Sequence, residues 1–316
     1  MSDLAPPTPE FNQACLAIMT DWRGGKLPFN EAIARLSVLV QRASADKNRA
    51  NQARAEQLLA NLQLTHGDLD ACIQHAQRAR VLATPYQDFN RLAVIDLTEG
   101  EAWRYKGNFD NAIRLYRSAY EEASQLDSIH TQSYLQTFAV VNIGLVLVAM
   151  GRTEEAQIEF ENGISLSKKW DDPHAALGPL CEIHHGMAMI HIQNGHYKEA
   201  WDEALRAYEI AQKSDDPRLS GLANRTMGAI ITLYIPPDTS YSTNPDDYFR
   251  MSIENFRRYN AEAEIIRTTF AQVVSLAQRG NQQSANRKLQ QVIIAFKRLG
   301  MADDLQQALN FRKTIL

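Results

Sequence analysis

The 316-residue sequence is poor in cysteine and has no strong excess of charge of either sign. Its three cysteines, Cys15, Cys72 and Cys181, are odd in number and far apart. That pattern indicates neither a disulfide framework nor a zinc site and is typical of reduced thiols in a cytoplasmic protein. With 33 Lys plus Arg against 37 Asp plus Glu, the formal charge of -4 predicts no general binding to nucleic acid.

Long apolar runs and catalytic motifs are also missing. The most apolar stretch, residues 138–150, is shorter than the ~18 residues expected of a membrane span, so we predict a buried helix and no membrane partner. There is no Gly-rich phosphate loop, nucleophile elbow or His-Glu-x-x-His motif, so a protein without enzymatic activity, cofactor or metal is expected. Residues 1–8 lack the features of a signal peptide and are predicted to form a flexible lead.

Charge is nevertheless uneven along the chain. Residues 257–316 hold ten basic and four acidic side chains. Solvated lysines and arginines on exposed helix faces are the simplest interpretation of this basic end, and an acidic partner is the alternative.

The sequence does contain a repeat centred on glycines that close a helical run and precede an alanine-rich amphipathic run. These glycines are Gly67, Gly107, Gly151, Gly195 and Gly280, with spacings of 40, 44, 44 and 85 residues. The last spacing is close to two periods, which places a unit without its glycine in between. A period of this length is the signature of a repeat architecture.

Small and bulky residues recur at fixed distances from each glycine, which predicts the packed faces of two helices per repeat. Five positions after the glycines stand Cys72, Ala112, Ala156, Ala200 and Ala285. Nine and twelve positions after them stand Ala76 with Ala79, Tyr116 with Ala119, Phe160 with Gly163, Ala204 with Ala207, and Leu289 with Val292. Seven positions before them stand Ala60, Gly100, Gly144 and Ala188, with Val273 as the exception.

The unit without a loop glycine is predicted to consist of a helix at 219–234, a loop at 235–246 and a second helix. Ser252, Phe256 and Tyr259 supply the packed face of that second helix. Two identical Asp-Asp-Pro triplets, ending at Pro173 and Pro217, predict helix starts with an aspartate N-cap. The polar loop 235–246 is interpreted as a tolerated insertion, with a partner-contacting loop as the alternative.

These positions resemble those of the tetratricopeptide repeat family, and the long period resembles the variety found in MalT-type regulators and Rap-type peptide receptors. The resemblance implies an all-α, right-handed superhelical solenoid of about seven helix-turn-helix repeats with a C-terminal capping helix. We expect one domain over residues 9–316. Its predicted units are residues 9–45, 46–83, 84–126, 127–170, 171–214, 215–260 and 261–300, followed by a capping helix at 301–316.

The same resemblance implies a concave groove lined by the first helix of each pair, at set distances before the loop glycine. The residues selected in this way are Arg54, Asn61, Leu97, Glu101, Arg104, Phe138, Val141, Leu145, Val148, Glu182, His185, Met189, Ile192, Arg267 and Phe270. Charged side chains are expected at the rims of an apolar middle, a pattern suited to an amphipathic helix or extended peptide. Residues 138–148 are apolar on every face, which fits burial in the core as well as cover by a partner.

The leading functional interpretation is an adaptor or regulatory module that binds a protein or peptide partner in this groove. Two alternatives stay open: a regulator whose superhelix changes shape when a small peptide binds, and a structural protein that self-assembles into a homo-oligomer through its repeats. Four histidines in one unit, His184, His185, His191 and His196, lack the spacing of a metal site and are expected to pack or line the groove.

Overall fold

The computed structural model describes residues 7–170, 172–236, 240–258 and 260–315. Within these ranges the regular structure comprises fifteen α-helices and a short 3-10 helix at Thr84–Tyr86, and no strand. In chain order, α1 to α15 are Pro9–Arg23, Phe29–Ala45, Arg49–His66, Leu69–Ala83, Phe89–Tyr105, Phe109–Ala123, Ile129–Ala149, Thr153–Ser167, Leu177–Gln193, Tyr197–Gln212, Pro217–Leu233, Pro245–Arg258, Glu262–Gln278, Gln282–Arg298 and Ala302–Ile315. Most of the predicted lead, residues 1–8, lies outside the described residues.

The helices pack as stacked pairs. Contacts within a pair join α3 to α4 and α9 to α10, and contacts from a second helix to the next first helix join α2 to α3 and α14 to α15. First helices of neighbouring pairs also touch, for example α9 with α11 and α11 with α13. The predicted all-α repeat architecture of seven helix pairs followed by a final helix is confirmed.

The turn inside each pair follows from two adjacent residues. All five predicted loop glycines have positive φ, which reaches 92° at Gly67; side chains with a Cβ rarely adopt that region, so glycine is favoured there. In three of the five glycine turns the next residue then caps the second helix: Asp68 accepts a hydrogen bond from the Ala71 amide at 3.0 Å, Asn108 accepts one from the Asn111 amide at 3.2 Å, and Asn281 accepts one from the Ser284 amide at 3.4 Å. In these turns one glycine ends the first helix and one polar residue begins the second.

The predicted packing faces are buried in every pair. Cys72, Ala112, Ala156, Ala200 and Ala285 have no exposed surface. In the pair without a loop glycine, Ser252 and Phe256 are buried as expected, while Tyr259 lies outside the described residues. Small residues at these positions allow the two helix backbones to approach closely, which is what the sequence pattern predicted.

Glycines and aromatic rings complement each other across the pairs. A Cβ on Gly144 would lie 2.5 Å from the Phe160 ring, and one on Gly100 would lie 2.6 Å from the Tyr116 ring. Phe160 also fills the space beside Gly186 of α9, where a Cβ would lie 2.2 Å from the ring. Each glycine therefore accommodates an aromatic side chain that an alanine would displace.

The two Asp-Asp-Pro triplets do not act alike. At the second, Asp216 caps α11 and Pro217 occupies its first turn, as predicted. At the first, a helix start at Pro173 is wrong, because α9 begins only at Leu177 after a turn. A start at Pro173 would have put Pro179 inside the helix, where its missing N–H breaks a hydrogen bond; in α9 it sits in the first turn, where none is needed.

The chain divides into two compact units. One comprises the chain up to Arg104 together with Asn108–Leu135, and the other comprises Tyr105–Gly107 together with the chain from Gln136 onward. Within the second unit the Tyr105 hydroxyl donates to Glu264 Oε1 at 2.6 Å, and the Arg267 guanidinium lies 4.3 Å from the Tyr105 ring centre. The single domain expected over residues 9–316 stays a prediction.

Helix α7 is the one described helix whose length and apolar composition would suit a membrane span. Of its most apolar stretch, 67% is buried by the rest of the protein. That degree of burial is typical of the core helix of a folded domain and agrees with the predicted buried helix.

Candidate binding face

The predicted groove residues all lie on first helices of the pairs. Helix α3 carries Arg54 and Asn61; α5 carries Leu97, Glu101 and Arg104; α7 carries Phe138, Val141, Leu145 and Val148; α9 carries Glu182, His185, Met189 and Ile192; α13 carries Arg267 and Phe270. Those on α3 and α5 belong to the first unit and the others to the second, so the two sets are described separately.

In the first unit the charged members are held by neighbouring side chains. Arg54 donates to Asn12 Oδ1 at 3.0 Å and to Gln57 Oε1 at 3.1 Å. Burial, followed by the nearby charge of Arg91, lowers the pKa of Arg54 from its usual value. This guanidinium is therefore engaged inside the unit.

The same holds for the charged members of α5. Arg104 Nε donates to Glu101 Oε2 at 2.8 Å, and the Tyr116 hydroxyl donates to the same oxygen at 3.1 Å. The remaining members of the first set, Asn61 and Leu97, are partly buried.

In the second unit, polar members tie each first helix to the next. Glu182 is 8% exposed and forms an ion pair with Arg218 of α11. His185 Nδ1 lies 2.7 Å from Thr226 Oγ1, also on α11. Because the Thr226 hydroxyl donates to a backbone carbonyl, the imidazole N–H is the donor to Thr226.

The two members on α13 are covered in a similar way. Arg267 makes a two-pronged contact with Asp304 of α15, at 3.0 Å from Nε to Oδ1 and 2.8 Å from Nη2 to Oδ2. The Phe270 ring meets Phe296 and Phe311 edge-on, with ring centres 5.9 and 6.0 Å apart. Helices α14 and α15 thus occupy the surroundings of both side chains.

The expected charged rims therefore differ from what the structure contains. Arg54, Arg104, Glu182 and Arg267 all form contacts within the protein, and the side chains of Arg104, Glu182 and Arg267 are at most 18% exposed. Residues on neighbouring first helices come close enough to pair, which a position rule applied to one repeat at a time does not reveal.

Val141 is a core residue, and its assignment to the groove is corrected. It has no exposed surface, and its Cγ2 lies 3.2 Å from the point where a Cβ on Gly163 of α8 would be. Val148 is 7% exposed. Since Val141 faces the second helix of its own pair, a partner would have no access to it.

Four large apolar side chains on α7 and α9 remain partly buried. This apolar strip consists of Phe138, Leu145, Met189 and Ile192. Leu145 and Met189 each stand six positions before their loop glycine, and the helix ends are joined by a hydrogen bond from Gln193 Nε2 to the Val148 carbonyl at 3.3 Å. Leu145 and Met189 therefore hold equivalent positions on neighbouring first helices.

Two of the four histidines of the fifth pair, His184 and His185, are paired inside the protein. His184 Nδ1 lies 2.6 Å from Glu203 Oε2. Burial opposes ionisation of Glu203, but the hydrogen bond from His184 and nearby cationic groups bring the pKa of this carboxyl below its usual value. Among the described residues, no three His, Cys, Asp or Glu side chains are grouped as metal ligands would be.

Sequence reasoning missed a buried charged cluster in the first unit. The Arg80 guanidinium lies between Asp96, with Nε 2.9 Å from Oδ1, and Glu99, with Nη2 2.7 Å from Oε2. Asp96 and Glu99 are 1% and 2% exposed. Burial, then the charge of Asp96, raises the pKa of nearby Glu122 to about 8. The sequence did contain a signal for this cluster: Asp96 and Glu99 occupy repeat positions that hold apolar residues in the fourth pair.

Comparisons with known proteins agree with this architecture. A tetratricopeptide repeat profile matches residues 139–169, which span the end of α7, the Gly151 turn and α8. A Rap protein complexed with competence and sporulation factor superimposes with a TM-score of 0.71 at 15% identity, covering 93% of this chain and 76% of that protein. RapI in its apo form gives 0.65 at 13% identity, with coverages of 92% and 98%.

A third structure, the Rap conjugation gene regulator of plasmid pLS20 in complex with the Phr* peptide, gives a TM-score of 0.60 at 12% identity over 98% of this chain and 97% of that one. The chain has the all-α helical-repeat fold of these Rap proteins. No curated protein matches the sequence of this Rap-like solenoid. Identities of 12 to 15% show a shared fold, and a shared fold leaves function to be argued from the site.

Proposed function

We propose that this Rap-like solenoid is a non-catalytic regulatory module that binds a peptide or an apolar protein segment on the apolar strip of α7 and α9. Two proteins that share its fold are described as complexes, one with competence and sporulation factor and one with the Phr* peptide. One of them is described as a gene regulator. Recognition of a peptide by an apolar stripe is a recurrent mode of binding.

The observation that carries the proposal is the partial burial of four large apolar side chains on two neighbouring first helices, α7 and α9. Covering apolar surface contributes about 25 cal/mol per Å², so side chains that already line a packed helical surface gain from a partner at small cost in rotamer freedom. Polar neighbours of the strip, Glu182 and His185, are already fixed by contacts to α11. Because these neighbours are fixed, the strip needs no rearrangement to bind a ligand, which lowers the cost of binding.

The pairing of the charged groove members has a second consequence for the ligand. Because Arg54, Glu101, Arg104, Glu182 and Arg267 are occupied by internal partners, an approaching peptide gains little from their charge. Affinity should therefore come from apolar side chains of the ligand and depend weakly on salt concentration. Asn61 and Leu97 of the first unit remain candidates for contacts there.

A selection experiment tests the proposal. A random peptide library displayed on phage is panned against the wild-type chain, and binders are measured by fluorescence anisotropy with a Leu145→Glu plus Met189→Glu variant. We expect at least a tenfold loss of affinity, because buried carboxylates would face the apolar peptide. A Val38→Glu plus Val81→Glu variant, which places the same charges on exposed positions, is the matched control and should bind like the wild type.

Equal binding by all three proteins would contradict the proposal. So would a set of selected peptides that lack apolar residues, since the strip offers them little else. Circular dichroism of each variant establishes that the helical fold is kept before affinities are compared. A cytoplasmic location, expected from the composition, stays a prediction.

A further inference from the structure

Two helices of the second unit each carry four charges of a single sign. Helix α8, Thr153–Ser167, contains four glutamates and no lysine or arginine, and α14, Gln282–Arg298, contains two arginines and two lysines and no acidic residue. The other described helices hold fewer like charges or mix both signs. This contrast places an acidic helix and a basic helix in one compact unit.

Each of these helices exposes an isoleucine at the centre of its charged face. Ile158 of α8 is 65% exposed, and Ile294 of α14 is 69% exposed. On both helices the buried face lies opposite: Phe160 and Phe296 have no exposed surface. A water-exposed isoleucine between charges of one sign suits a contact that combines a small apolar centre with ionic surroundings.

Charges around the two isoleucines remain exposed. We define the α8 face as Glu154, Ile158 and Glu161, and the α14 face as Arg287, Ile294 and Lys297; all six are exposed. The nearby charges Glu155 and Arg298 are engaged by Arg152 and Glu262, so they are left out of both faces.

We propose that the α8 face of one copy of this chain docks on the α14 face of a second copy. The two faces are opposite in charge, and both are helical with an exposed isoleucine between the charges. With the helices antiparallel and Ile158 against Ile294, Glu154 lies towards Lys297 and Glu161 lies towards Arg287 one turn further along, because both helices repeat every 3.6 residues.

A second copy is favoured over other acidic partners for a reason of charge distribution. Residues 1–256 carry a net excess of negative charge, whereas residues 257–316 carry ten basic and four acidic side chains. A long polyanion bound to α14 would extend beyond this helix and be repelled by the acidic remainder of the chain. The α8 face is short, and the α14 face can neutralise its charge.

The contact joins two different faces, so it is heterologous. A complex of two molecules therefore keeps one unoccupied α8 face and one unoccupied α14 face. Repetition of a heterologous contact gives chains of molecules, unless the rotation closes a ring. Two helix faces bury less than the area of a standard stable interface, so the association is weak and reversible. It uses residues outside the apolar strip, and it stands or fails independently of the proposed peptide binding.

Sedimentation velocity of the wild-type chain over a concentration series is the first test. The average mass should rise above the 35.7 kDa of one chain as concentration increases in low salt. It should return to the mass of one chain at about 1 M salt, where ionic contacts are screened within roughly 3 Å. A mass equal to one chain at every concentration in low salt would overturn the proposal.

Two surface variants then test which faces meet. One carries Ile158→Lys with Glu161→Lys and keeps the α14 face; the other carries Arg287→Gln with Ile294→Ser and keeps the α8 face. Each alone should stay monomeric, because the first places like charges against each other and the second removes a cation and the apolar centre. The positions altered in the two variants carry no opposite charges that could attract each other. Mixed in equal amounts, they should form a complex of two chains and nothing larger, since each supplies one intact face.

Any other result from the mixture counts against the contact. If each variant self-associates as the wild type does, another surface is responsible. If the wild type associates but the mixture stays monomeric, the two faces do not bind each other. All six positions are exposed, and matched circular dichroism spectra will show that the changes leave the fold intact. A milder pair, Ile158→Ser and Ile294→Ser, should lower association without reversing charge.

Discussion

The third and fourth helix pairs fill equivalent positions with opposite chemistry. Eleven and eight positions before the loop glycine, the third pair has Asp96 and Glu99, and the fourth has Val140 and Ile143; all four side chains are at most 5% exposed. The third pair compensates its carboxylates with Arg80 from the preceding pair. The repeat spacing therefore fixes where a side chain is buried, but its chemistry depends on neighbours from other repeats.

The two pairs should respond differently to mutation. In the fourth pair stability comes from close packing around Phe160, which fills the space beside two glycines. In the third it depends on one cation that neutralises two buried anions. The largest expected effects come from removing either centre.

Phe160→Ala should produce the largest loss of stability. It removes a ring with no exposed surface that lies against Gly144 and Gly186, and phenylalanine-to-alanine changes in cores cost about 3–5 kcal/mol. Urea unfolding followed by circular dichroism measures the loss. Gly144→Ala alone should also destabilise the protein, but added to Phe160→Ala it should recover part of the loss by filling the cavity. Additive losses would show that the glycine and the ring are not coupled.

Arg80→Met should destabilise the protein slightly less. It leaves Asp96 and Glu99 buried without their cation, and breaking a buried pair in this way costs about 3 kcal/mol or more. Partial exposure of Arg80, at 28%, lowers the effect because water can enter. The loss should shrink at acidic pH, because burial raises the pKa of Asp96 and a protonated carboxyl no longer needs a cation. A pH-independent loss in urea titrations would indicate that packing of the arginine stem is what matters.

Glu122→Gln should stabilise the protein at alkaline pH. Burial raises the pKa of this carboxyl from 4.5 to about 8, so the folded state keeps a proton that the unfolded state releases. Stability from this group is complete below about pH 4.5 and is lost as pH rises to about 8. Because Glu122 is partly exposed, we expect a gain of about 1–2 kcal/mol at pH 9 and little at pH 4.

A parallel pH series of thermal unfolding compares Glu122→Gln with the wild type. An equal difference between the two proteins at pH 4 and pH 9 would exclude titration of Glu122 as the cause. Glu121→Gln, a change at an exposed neighbour on the same helix, is the matched control and should alter stability by less than about 0.5 kcal/mol.

The smallest expected effect concerns the cysteines, which lie in both units. All three are free and buried, and burial raises the pKa of Cys15 to about 11 and that of Cys181 to about 12. Native protein should therefore react with a thiol reagent far more slowly than urea-unfolded protein. Rapid reaction of one thiol in the native state would reveal local opening at its helix pair.

The helix pairs could be predicted from sequence because their signals are local and recur. A loop glycine, an alanine five positions on and a residue seven positions back are enough to place both helices of a pair. Glycines and aromatic residues that recur together, as Gly100 and Tyr116 do, were also visible in the sequence. Their packing against each other could not be predicted, because which ring contacts which glycine depends on how the helices pack.

The binding face was predicted less well, for two physical reasons. Contacts such as Arg54 with Asn12 and Glu182 with Arg218 join residues 42 and 36 positions apart, beyond the reach of a pattern within one repeat. Val141 was misplaced because α7 is apolar on every side, so no polar face indicated its orientation. Pro179 likewise set the start of α9 against the signal of the preceding Asp-Asp-Pro triplet.

Hydrogen–deuterium exchange of the wild-type chain, with and without a saturating peptide from the display selection, tests the central claim most directly. Our account predicts that the peptide slows exchange in α7 and α9 above all, because the apolar strip lies on these two helices. Protection limited to other helices, or slower exchange on the exposed faces of α8 and α14 with none on α7 and α9, would contradict the account.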